Sequence, residues 1–161
     1  MLFKILFGPI LLLQGWWVRK KTPKLPEPPV KPTGVSGQGE KLRLLLLGDS
    51  SAAGVGADEP EQTLLAQLLK NLNIEYQLEY QMLAETGRKT AEMLAVLAKE
   101  PNNKKDVVIT ALGVNDVTSQ VPLKQWISQQ QDLIQEIKIK YQPQQIIMTG
   151  LPPMRDFPAL S

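Results

Sequence analysis

"LLLLGDSSAAGVG", residues 44–56, is the stretch on which the fold turns. A largely apolar run over residues 42–47 stops at Gly48-Asp49-Ser50 and gives way to small residues. A strand covered on both faces has that composition, because neither side alternates with water-facing residues. Gly48 suits a sharp turn off such a strand, and Ser50 then opens the next segment with its hydroxyl over the sheet edge.

Working outward, strand and helix patterns alternate. Residues 60–72 predict a helix, with Pro60 in its first turn and a stripe of Leu64, Leu65, Leu68, Leu69 and Leu72. Ile74, Tyr76, Leu78, Tyr80 and Met82 alternate with other residues at a strand period. Residues 90–99 predict a helix with Met93, Leu94 and Leu97 inward, and "DVVITAL" (106–112) a second buried strand. Residues 122–141 predict the longest helix, its inward stripe formed by Leu123, Trp126, Ile127, Gln130, Leu133, Ile134 and Ile137, and residues 145–149 a fourth strand. Strands separated by helices of this length imply right-handed crossovers and a parallel sheet with helices on both faces, a three-layer α/β/α domain.

The segment before this domain is of another kind. Residues 1–18, "MLFKILFGPILLLQGWWV", are mostly apolar but short for a membrane span, and Trp16-Trp17 are followed by Arg19-Lys20-Lys21. Paired tryptophans beside cations suit a membrane interface, so an uncleaved, membrane-associated segment is expected, with the domain on the cytoplasmic side. Were a signal peptidase to act, the domain would instead be exported, to the periplasm. Residues 19–40 read as a basic linker. Five prolines and three glycines between Thr22 and Glu40 predict no regular element there. The domain proper is expected over residues 41–161.

Composition excludes several chemistries. Eighteen basic against sixteen acidic residues leave a net charge of +2, which gives no pull toward nucleic acid. The sequence holds no cysteine and no histidine. Thiolate chemistry, the usual zinc ligands and an imidazole base are therefore all absent from these 161 residues, and neither a metal nor a cofactor is expected. A phosphate-binding loop is also excluded, because no lysine lies between Lys41 and Lys70. Nor do residues 48–56 fit Gly-x-Ser-x-Gly or Gly-x-Gly-x-x-Gly.

In a parallel α/β sheet, chemistry gathers at the carboxyl ends of strands. Four places qualify: Gly48-Asp49-Ser50, residues 84–87, Gly113-Val114-Asn115-Asp116 and residues 150–153. Each has an ordinary structural reading, as turn glycines or capping side chains. In this order, at three successive strand ends, they resemble the SGNH hydrolases, also called GDSL esterases and lipases. The matching residues are Ser50 in Gly-Asp-Ser, Gly87, and Asn115 in Gly-x-Asn-Asp. Gly54 also matches the first block, and "GLPPM" after the fourth strand is similar to a bacterial subgroup.

The resemblance implies a flavodoxin-like parallel sheet and ester hydrolysis through an acyl-serine. Ser50 would be the nucleophile, and the N–H groups of Ser50 and Gly87 with the Asn115 side chain the oxyanion hole. Gly48, Asp49, Gly54, Gly113 and Asp116 would support the turns. The implied substrate is a small-molecule or lipid ester. The family's Asp-x-x-His block is not present; the chain ends "MRDFPALS". The expectation is thus a C-terminally shortened member, lacking a last strand and helix, with severely impaired activity. Its fourth strand would be an exposed apolar edge open to association. Acyl transfer by the same serine, or a membrane-associated binding protein without turnover, are the alternatives.

Overall fold

The structure, a computed structural model, describes residues 2–23 and 25–154. Lys24 of the basic cluster and residues 155–161, the end of the expected domain, lie outside the described residues. The strands are β1 (Thr33–Ser36), β2 (Glu40–Gly48), β3 (Tyr76–Ala84), β4 (Val107–Ala111) and β5 (Gln145–Met148). The helices are α1 (Leu2–Lys21), α2 (Ser50–Ala53), α3 (Leu64–Leu72), α4 (Thr90–Leu97), α5 (Val114–Thr118) and α6 (Leu123–Tyr141). One sheet in the order β1-β3-β2-β4-β5 holds all five strands. The pairs β2–β3, β2–β4 and β4–β5 are parallel, and β1 runs antiparallel to β3. From β2 the chain goes first to one side and then to the other, so the carboxyl end of β2 is the switch point of the sheet.

The leucine run explains the layering. Successive strand residues face opposite sides, and Leu44 to Leu47 are all buried. Leu45 and Leu47 pack with Met93, Leu97, Leu133 and Ile137 from α4 and α6. Leu44 and Leu46 pack with Ala52 and Leu65 from α2 and α3. Burying each of these leucines contributes about 1.5–3 kcal/mol. At the amino end, the Arg43 guanidinium donates to both carboxylate oxygens of Asp106, at 2.8 and 2.9 Å, fixing β2 against β4. That guanidinium holds the Asp106 carboxyl below the ordinary carboxylate range.

Four expectations are corrected. Residues 33–36, within the linker for which no regular element is expected, form β1, which adds to the free edge of β3. Gly34 permits this, since a Cβ there would lie 2.6 Å from Tyr80 Oη. Ile74 lies in the turn before β3 and is exposed, because Asn73 ends α3 and the strand begins only at Tyr76. Residues 60–62 form a separate 3-10 turn, since the Thr63 hydroxyl caps α3 by accepting from the Ala66 N–H at 3.3 Å. Leu123 and Ile127 are exposed. Leu133, Ile137 and Tyr141, in the later turns of α6, share a buried cluster with Met93 and Leu97 of α4, whereas Leu123 and Trp126 in its first turns line a groove of about 260 Å³ with Leu151.

Candidate active site

Three loops leave the carboxyl ends of β2, β3 and β4, side by side in the sheet. The first begins at Gly48, where a Cβ would fall 2.2 Å from Ala52 Cβ and 3.0 Å from the Ala111 carbonyl oxygen; only glycine lets α2 fold back so closely. Asp49 is buried and caps α2. Its Oδ1 accepts from the Ser51 N–H at 2.9 Å and from Ser51 Oγ at 2.8 Å. Ser50 follows as the first residue of α2, where a backbone N–H has no partner within its own helix. Gly54 ends α2 in the left-handed region, against Thr63 and Pro28.

The second loop is a four-residue turn closed by the Arg88 N–H donating to the Glu85 carbonyl at 3.2 Å. Gly87 occupies its third position with φ +86°, the left-handed value that the type II form of the turn requires there. Nothing lies within 4 Å of a Cβ placed there, so its surface is open.

The third loop starts at Gly113, also at positive φ, and leads into α5. Asn115 Nδ2 donates to Asp49 Oδ2 at 3.2 Å and to the Arg88 carbonyl at 3.1 Å. One side-chain amide thereby joins the neighbours of Ser50 and of Gly87, and the three loops meet at a single point. Asp116 turns the other way. It is buried and accepts from the Thr90 N–H at 3.2 Å and from Thr90 Oγ1 at 2.9 Å, and Thr90 Oγ1 in turn accepts from Gln130 Nε2 at 2.9 Å. This network ties α5 to α4 and α6, and so sets the height of Asn115.

Sequence reading missed Thr90 and Ser51 as partners of this cluster. Thr90 carried a weak signal, a hydroxyl at the start of a helix, and Gln130 carried one as a lone amide within an apolar stripe. Beside the first loop lies a groove of about 320 Å³, lined by Asp49, Ser51, Leu64, Ala111, Val114 and Leu151 among others. No group of acidic side chains able to hold a metal ion occurs among the described residues.

The sequence model of the GDSL-like lipase/acylhydrolase family matches residues 46–161. Among solved structures, the chain is similar to AlinE4, an SGNH-hydrolase family esterase, at 26% identity and TM-score 0.58, over 74% of this chain and 65% of that one. It is similar to TesA at 26% identity and TM-score 0.57, over 73% and 66% of the two chains. A family two carbohydrate esterase from Clostridium thermocellum shares the fold, at 16% identity and TM-score 0.57, over 71% of this chain and 44% of that one. The chain thus spans less than two thirds of the length of AlinE4 and TesA. No curated protein matches it.

Proposed function

The chain belongs to the GDSL-like lipase/acylhydrolase family, and from that premise we propose that it acts on carboxylic esters through an acyl-serine at Ser50. Ser50 Oγ attacks the ester carbonyl and its proton passes to a base. The oxyanion is held by the Ser50 and Gly87 N–H groups and the Asn115 amide; the carbonyl re-forms, the C–O bond to the alcohol breaks, and the alcohol leaves with a proton. Water repeats the sequence on the acyl-serine. The groove beside Asp49 and Ser51 receives the acyl part. The single observation supporting this reading is the Asn115 amide bridging Asp49 and Arg88.

The base is the weak point. With no histidine in the sequence, turnover by these 161 residues alone is slow. Loss of the histidine from a serine triad costs about 10⁶-fold, leaving about 10³–10⁴ over water. Added imidazole should therefore promote acylation. The test is to expose the chain to p-nitrophenyl acetate with and without imidazole and to locate any acetyl group by peptide mass mapping. Acetyl on Ser50, increased by imidazole and abolished in Ser50→Ala, is expected. Equal ester loss for the two proteins with Ser50 unmodified refutes an enzymatic role and favours the second reading, a binding protein without turnover, to which the missing histidine also points. Adding an acceptor alcohol to the same reaction separates hydrolysis from acyl transfer by its products.

A further inference from the structure

Helix α1 is a continuous helix whose described side chains are mostly apolar and exposed. Leu12 is 76% exposed, and Ile10, Leu11, Leu13, Trp16, Trp17 and Val18 are exposed with it. At its end Lys20 Nζ lies 5.2 Å from the centre of the Trp16 ring and Lys21 Nζ 4.4 Å from that of Trp17. No acidic residue precedes Glu27 in the sequence, whereas five basic residues do. No helix among the described residues is long and apolar enough to cross a membrane. Apolar surface, interfacial tryptophans and unopposed cations together fit an anionic bilayer surface.

The segment after α1 gives this docking a direction. Residues 25–32 form a strap laid on the domain. Leu25 Cδ1 would lie 3.4 Å from a Cβ on Gly56, and Pro28 Cγ 3.2 Å from one on Gly54. Glu27 accepts a hydrogen bond from Thr86 Oγ1, next to Gly87. Val30 packs on the buried cluster around Leu44 and Leu46, and the Pro32 carbonyl accepts from the Met82 N–H at 2.6 Å. The strap is thus fastened to the loops that carry Ser50 and Gly87. From Lys21 to Leu25 the chain spans at most about 14 Å. The loops at the carboxyl ends of the strands, where Leu25 meets Gly56, are therefore tethered close to the lysines, and the amino ends lie about 30 Å from those loops along a nine-residue strand at 3.3 Å per residue.

We infer that α1 docks the chain on an anionic lipid surface and that the strap turns the Ser50 face toward it, so that the esters met there are acyl lipids. The substrate class rests on the proposed chemistry of Ser50; the docking and its direction do not. The full chain is floated with vesicles of phosphatidylcholine alone or mixed equally with phosphatidylglycerol. Uptake by the anionic vesicles is expected, weakened roughly 30-fold by Lys20→Gln with Lys21→Gln. Because the sequence has no cysteine, single nitroxide labels at Asp58→Cys, two residues beyond the Gly56 that Leu25 meets, and Asn102→Cys, in the loop leading to the amino end of β4, report direction. Nickel chelated at the headgroups should relax the label at position 58 several-fold more than that at 102. A flexible insertion between Lys21 and Thr22 should leave uptake unchanged and abolish imidazole-promoted acylation of Ser50 from a vesicle-borne ester, while acylation from a soluble ester persists. Uptake indifferent to lipid charge, or α1-dependent dimers without uptake, overturns the docking. Equal relaxation of the two labels overturns its direction. Ser50 inert to the soluble ester, with uptake and labels as expected, refutes the enzymatic reading alone.

Discussion

Replacing Asn115 by aspartate sets a carboxylate where an amide now donates to Asp49 Oδ2 at 3.2 Å. At that separation two unit charges repel by about 1 kcal/mol in the dielectric of bulk water, and by about 5 kcal/mol at an effective value of 20. Asn115→Ala removes the same two hydrogen bonds without adding a charge, a loss of about 2 kcal/mol. At about 3 °C per kcal/mol for a chain of this size, the alanine variant melts about 6 °C below the parent at pH 7.5, and the aspartate variant lower still. The difference between the variants also depends on pH. A like charge raises the affinity of the introduced carboxyl for a proton, so acidification neutralises it and the gap narrows by about pH 5. Thermal melts of the three proteins at both pH values read this directly. Equal melting of the two variants at pH 7.5, with no change on acidification, would show that the amide does not bridge to the carboxylate.

Three further perturbations test other parts of the fold. The Asp106 carboxyl is held below its ordinary range chiefly by its hydrogen bond with Arg43. Its stabilisation is therefore complete above the unfolded value of about 3.9 and is lost as pH falls through the folded one; Asp106→Asn should remove that part of the acid-denaturation curve. Tyr141 buries its hydroxyl without a hydrogen-bond partner among the described residues, and burial pushes its ionisation up to about 12. The parent should lose stability from about pH 10 upward, and Tyr141→Phe should abolish that loss and match or exceed parental stability at neutral pH. Gly87→Ala meets only a backbone cost of about 1–2 kcal/mol, whereas Gly48→Ala forces a methyl group to within 3.0 Å of backbone and should unfold the protein or lower its melting temperature far more.

The features legible in the sequence were local ones. Four consecutive leucines announced a central strand because burial on both faces leaves no polar alternation, and the glycines and Asn115 stood where strand ends had to be. The ties that align these loops join distant positions. Asp106 meets Arg43 across 63 residues, and Asp116 meets Thr90 across 26; no periodicity marks either pair. Strand β1 was illegible for a different reason. Its four residues, "TGVS", carry no repeat and become a strand only because Tyr80 and its neighbours offer a free edge. Likewise the stripe of α6 was legible as a helix face, but not the point at which the neighbouring elements stop covering it.

The Asn115 amide also bears on how much catalysis the site can deliver. Both of its hydrogens are engaged, one by a carboxylate and one by the Arg88 carbonyl. On the proposed mechanism, an oxyanion at Ser50 must draw one hydrogen away, and the neutral carbonyl is the weaker competitor. A ground-state ester carbonyl would only replace one neutral acceptor by another, with no gain. A full negative charge makes the exchange favourable, because charge-assisted hydrogen bonds are about twice as strong as neutral ones. The donor therefore discriminates between transition state and substrate. It does so at a discount, however, gaining about 1–1.5 kcal/mol from the exchange in place of the 3–4 kcal/mol of a free donor. Asn115→Ala should accordingly slow imidazole-promoted acylation of Ser50 about ten-fold, measured where the variant remains folded. A loss of several hundred-fold would mean that the amide is released before the ester arrives, and that the bond to Arg88 does not compete.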